Sequence, residues 1–138
     1  MSYQNTFILV SEDTKANFGT EPPFKEKPTI AMLEYQIITA HPYEKTEADV
    51  QFECEVLRKN LDFSTMQDEE EARQAFFAKP HACFRSSPLV KTYGFGIHYD
   101  ENGHIMIYGM ETTAYQKLAQ DQKLIIKKGM RSRREKNK

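Results

Sequence analysis

The alternation of apolar and polar positions divides this chain into short strands and amphipathic helices. Thr6, Phe7, Ile8, Leu9 and Val10 form a run of β-formers within residues 5–12. Phe7 and Leu9 share one face and Ile8 and Val10 the other, which predicts a central strand rather than an edge. Residues 13–28 read as a loop, broken by Gly19, Pro22, Pro23 and Pro28, with Phe18 and Phe24 expected to pin it to the body. Thr29 is placed to cap a helix to about His41, with Ile30, Leu33 and Ile37 as its buried stripe. Thr46 and Asp49 form a capping-box pattern ahead of a helix to about Asn60. Val50, Cys54, Leu57 and Leu61 fall on one face of that helix, and Glu47, Asp49, Glu53 and Glu55 decorate the remainder.

Thr65 or Gln67 opens a third helix through about Lys79, with Ala72 and Phe76 inward and Pro80 as its stop. Residues 80–91 are irregular or a short strand, and residues 93–110 carry the strongest β signal. Residues 112–120 read as a short helix capped by Thr112 or Thr113. Residues 124–126 fit either a last strand or one helical turn.

The 93–110 segment folds back at Asp100-Glu101-Asn102-Gly103, which suits a type I turn closed by a left-handed glycine. That loop pairs Asp100 with His104 and puts Phe95, Ile97 and Tyr99 on one face with Ile105 and Ile107. A two-residue Asn-Gly loop would slip the register by one and break that apolar face, so the first register is expected. The second face then carries Gly94, Gly96, His98 and Asp100 opposite Met110, Tyr108, Met106 and His104. Alternate glycines leave a bare trough, which serves either as a groove for a packing helix or as a ligand pocket.

Composition places the pattern in a single globular domain. The chain has 138 residues, 39% of them hydrophobic and 28% charged. No apolar run approaches the ~18 residues of a membrane helix. The N-terminus lacks a basic start followed by an apolar stretch, so no secretory signal is expected. Two cysteines make no disulfide scaffold. The formal net charge of −1 conceals an acidic body and a basic end. Residues 123–138 hold eight basic residues and one acid, whereas 44–71 hold ten acids and three bases.

Candidate chemistry is sparse. His98 and His104 are cross-strand neighbours that with Asp100 have the ligand types of a metal site, although both turn residues are expected to be solvated. Cys83 lies two residues from His81 and from Arg85, cations that would activate a thiol, and is expected to be inert and buried. Arg85, Ser86 and Ser87 offer a guanidinium and hydroxyls suited to a carboxylate or phosphate. The 130–138 tail, with Arg131, Arg133 and Arg134, has the charge of a nucleic-acid contact but no interleaved aromatics. Glycine-rich phosphate loops and nucleophile-elbow spacings do not occur.

Taken together, N-T-F-I-x-V-x-E-D from Asn5, H-P-Y at His41, C-F-R-S-S-P-L-V-K-x-Y-G-F-G-I-H from Cys83, D-x-x-G at Asp100 and G-M-R-S-R-R from Gly129 resemble a bacterial domain-of-unknown-function family. The resemblance runs from Asn5 to about Arg134. It implies a small, stand-alone cytoplasmic bacterial protein, and it carries over no catalytic residue.

The expected fold is α+β: a small, mostly antiparallel sheet built on the 93–110 hairpin and packed against two or three helices. Residues 1–128 form the domain and 129–138 a flexible basic tail. The expected function is binding rather than catalysis, without a cofactor, metal or membrane. A small anionic ligand would lie between Arg85 and the glycine face, lined by Tyr93, Gly94, Gly96, His98, Met106 and Tyr108. The alternative is a nucleic-acid-associated or self-associating protein, a homo-oligomer in the second case, acting through the tail.

Overall fold

The computed structural model describes residues 3–132. In chain order the elements are β1 (Thr6–Leu9), α1 (Ile30–Ala40), α2 (Glu47–Lys59), α3 (Met66–Phe77), a 3-10 turn (Phe84–Ser86), α4 (Pro88–Lys91), β2 (Phe95–Tyr99), β3 (Ile105–Gly109), α5 (Thr113–Ala119) and β4 (Ile125–Lys128). The strands form one sheet in the order β3-β2-β1-β4. Only the β1–β4 pair is parallel, so this is the expected α+β class with a mostly antiparallel sheet. Strand β1 is internal, as its two apolar faces require. The ambiguous segment at 124–126 enters strand β4 at Ile125, because the backbone groups of β4 complete the free edge of β1.

The hairpin register follows from its turn. Asp100 N–H donates to the His104 carbonyl at 2.9 Å, and Gly103 stands at φ +80°, where other residues are strained. Asp100 also accepts from the Asn102 and His104 N–H groups. Phe95, Ile97, Tyr99, Ile105 and Ile107 therefore share the core face with Ile8. Leu33, Ile37 and Ile38 of α1, Val50 of α2, and Leu89 and Val90 of α4 pack onto it. The far side of β1 and β2 is covered by α5, whose Tyr115 ring meets Phe7 edge-on at 5.1 Å.

Threonines start the helices as expected: Thr29, Thr46 and Thr112 each accept an N–H three residues on, and Thr46 with Asp49 completes the capping box. Three expectations need correction. Phe18 and Phe24 are exposed and do not pin the long loop. Backbone N–H groups hold it instead, Thr20 donating to the Tyr93 carbonyl and Gly19 to the Glu111 side-chain carboxylate. The apolar stripe of α2 is buried only at Val50 and Cys54, while Leu57 and Leu61 face outward and Phe52 turns inward to meet Phe63 and Phe76. Finally, the tail does not begin at 129. Gly129 N–H donates to Leu9, Met130 N–H to Arg85, and Ser132 N–H to Asp13. Residues 133–138 lie outside the described residues.

Candidate functional site

The glycine face is filled. A Cβ on Gly96 would lie 2.6 Å from the Phe7 ring and 2.7 Å from the Tyr115 ring, so the trough receives two aromatic rings. Gly94 precedes β2 at φ +78°, against the Phe18 carbonyl, and serves the loop. Arg85 stands two strands away: its Nε donates to the Lys128 carbonyl at 2.7 Å, on the far edge of the sheet. Tyr93 and Met106 pack against the core. Arg85 therefore does not meet the glycine face, and the expected anion pocket is not assembled there.

His98 and Tyr108 do come together, through a residue the sequence reading missed. Tyr43 sits at φ 56°, and its hydroxyl bonds His98 Nδ1 at 2.8 Å and the Tyr108 hydroxyl at 2.6 Å. Burial lowers the His98 pKa, opposed by the charges of Asp100 and Asp121. Tyr43 N–H and the Lys45 carbonyl also bond Ile105, which closes the outer edge of β3. The cluster thus seals an edge strand. Among the described residues no three His, Cys, Asp or Glu side chains converge as a metal set. Arg131 is exposed, and Arg133 and Arg134 lie outside the described residues.

The open space lies on the other side of the molecule, between helices. Ile30 and Glu34 on α1, Gln51, Cys54 and Arg58 on α2, Phe76 on α3, and the 81–88 segment enclose a cavity of about 310 Å³. Both sets have helical spacing, so each helix turns one face to the space. The 81–88 wall is held by Gln51, whose Nε2 donates to the Ala82 carbonyl at 2.9 Å, and by His81. The His81 ring stacks on Phe76 at 3.9 Å, and its Nε2–H donates to the Phe76 carbonyl at 2.7 Å.

Glu34 is the unusual group of this cavity. Its side chain lies on the buried face of α1, with the residue 6% exposed. Its Oε1 accepts from the Ser87 hydroxyl at 2.6 Å, and it joins no ion pair among the described residues. Burial pushes its pKa up to about 7, the Ser87 bond pulls it down, and the charge of Glu47 adds to the rise. Ser87 is fully committed, because its oxygen also accepts from Leu89 N–H as the cap of α4. Cys54 lines the same space, and burial next to Glu34 pushes its thiol up to about 12, far from a reactive thiolate.

A second cavity, of about 770 Å³, shares Gln51, His81 and Cys83 with the first. Its buried acid is Glu47, which accepts the Tyr99 hydroxyl at 2.5 Å and the Phe84 N–H. Burial raises its pKa too, opposed by those two bonds. Cys83 is half-buried, with Sγ 3.4 Å from the Tyr3 hydroxyl.

Comparison with known families gives a match over residues 1–135. The chain belongs to the family of unknown function DUF6157. No curated protein and no solved structure matches it. The role of this DUF6157 member is therefore to be read from its own residues. Glu34 went unread because it interrupts an apolar run, Ala31-Met32-Leu33-Glu34-Tyr35, where the helix stripe was the stronger pattern. A signal was present: Glu34 lies four residues after Ile30, so it falls on the buried face. Its partner Ser87 is 53 residues away, a distance no local pattern spans.

Proposed function

We propose that this DUF6157 chain is a small-molecule-binding protein whose cavity takes an organic amine, with Glu34 as the counter-ion. The cytoplasmic, bacterial setting implied by the sequence resemblance belongs to the same proposal. One observation carries the reading: a buried carboxyl group, bonded only to a neutral hydroxyl, lines a cavity that has aromatic and aliphatic walls. Burying a carboxylate without a cation is costly, and here part of that cost is met by a raised pKa. An ammonium entering the cavity supplies the missing charge. The Phe76 and Phe84 rings add apolar contact and faces that attract cations. The acidic 44–71 segment draws cations toward this end of the molecule. Arg58 lines the cavity but is exposed, so its repulsion is screened by solvent.

Binding, not catalysis, fits the geometry. The Ser87 hydroxyl is spent as a cap and as the donor to Glu34, and the Cys54 thiol is held protonated. The test is a thermal-shift screen at pH 8 with aliphatic and aromatic amines and their carboxylate counterparts. A ligand at a hundred times its Kd stabilises by about 2.7 kcal/mol, several degrees for this chain length. Amines are expected to raise Tm, carboxylates to leave it unchanged, and Glu34→Gln to abolish the amine shift. An amine shift of equal size in Glu34→Gln would refute the assignment.

A further inference from the structure

The two cavities belong to one arrangement. Each has its own buried glutamate, Glu34 in the smaller and Glu47 in the larger. Gln51, His81 and Cys83 border both, so the spaces adjoin along the 81–83 strip. Glu47 is bonded to the Tyr99 hydroxyl and the Phe84 N–H, and the charge of the chain's N-terminus also favours its ionised form; like Glu34 it joins no ion pair among the described residues. The next acid along this face of α2, Glu55, is already paired with Lys59 at 2.8 Å. A buried acid without an ion-pair partner among the described residues thus lies on each side of the 81–83 strip.

Resting on the amine reading above, we propose that the ligand is a linear aliphatic diamine, one ammonium against Glu34 and the other on the Glu47 side of the 81–83 strip. The chemistry of the partition suits such a molecule. Gln51 and Ala82 meet there through one hydrogen bond, and the Phe76–His81 stack gives an apolar wall for the methylenes. The strip is held from α3, none of whose residues is buried, so it is the part of the wall that yields most easily to a threading chain. Lys79 also lines the larger cavity but is exposed, which leaves the second ammonium to the buried Glu47 rather than to the rim.

Titration calorimetry on the full chain at pH 8 in 0.15 M salt tests this, with butylamine compared to α,ω-diamines of three to eight carbons. The expected result is an optimum chain length at which the diamine binds at least tenfold tighter than butylamine. Glu47→Gln is expected to erase that advantage while butylamine still binds at Glu34. The wild-type chain-length series decides the matter alone should Glu47→Gln fail to fold. Diamines no tighter than butylamine at every length would overturn the diamine inference and leave the amine site standing. Absence of all amine binding would overturn both. Diamine binding of equal strength in Glu34→Gln would reveal adsorption to the acidic surface and overturn both as well.

Discussion

The glycine face of the hairpin and the Glu34 cavity are opposites in how space arises in a small domain. At Gly96 the missing side chain is matched by Phe7 and Tyr115, whose rings occupy the trough to contact distance. Around Glu34 every wall has a full-sized side chain, yet the walls do not close, and a buried acid remains beside the gap. Bare backbone in a sheet attracts the nearest ring, because filling it recovers dispersion and buries apolar surface. A gap lined by an unpaired acid resists filling, since an apolar side chain pressed onto it would leave the charge without solvent. Space in a fold is therefore a sign of a site when a polar group is left facing it, and a sign of packing when none is.

The strongest way to test that contrast is to remove the charge. Glu34 holds its proton to about pH 7 in the folded chain, against 4.5 for an ordinary glutamate. Stability from this group is complete below pH 4.5, falls as pH rises toward 7, and stays low above. Glu34→Gln is expected to remove that fall and to stabilise the protein at pH 8 by up to about 3 kcal/mol. Urea denaturation at pH 4.5 and pH 8 measures it. A variant less stable than wild type at pH 8 would mean that the carboxylate is satisfied within the fold.

Next in size is the filled trough. Gly96→Ala pushes a methyl group into the Phe7 and Tyr115 rings and toward the Ile8 carbonyl, at 2.9 Å. The expected loss is about 1–3 kcal/mol, by the same denaturation assay, with amine binding intact. A neutral substitution would show the trough to be open and would return the glycine face to contention as a pocket.

The smallest effect concerns Arg85. Arg85→Ala removes the Nε bond to the Lys128 carbonyl, at an expected cost of about 1 kcal/mol, and leaves amine binding unchanged. Loss of binding with unaltered stability would place Arg85 in a ligand site after all.

Local chemistry made the hairpin and the caps legible. Asp100 and Gly103 dictate one turn, the turn sets the register, and the register puts Phe95, Ile97, Tyr99, Ile105 and Ile107 into the core. Thr29, Thr46 and Thr112 mark helix starts through hydrogen bonds that reach only three residues. The site was not legible in this way. Which element covers Gly96 depends on where α5 lands, and the partner of Arg85 is a carbonyl 43 residues away. In the sequence Glu47 is one of the acids decorating the polar side of α2, and its burial against Tyr99 appears only once the helix is laid across the sheet. Tyr43 needed a left-handed backbone at a bulky residue, which nothing in His41-Pro42-Tyr43 announces.

The most direct measurement is an NMR titration of the Glu34 side-chain carboxyl, free and with a saturating aliphatic amine. The free protein is expected to titrate at about 7, and the bound protein well below it, because an ammonium beside the carboxylate favours the charged form. A free value at the ordinary 4.5 would contradict the buried counter-ion. A midpoint that the amine leaves in place would contradict its role as the ligand's partner.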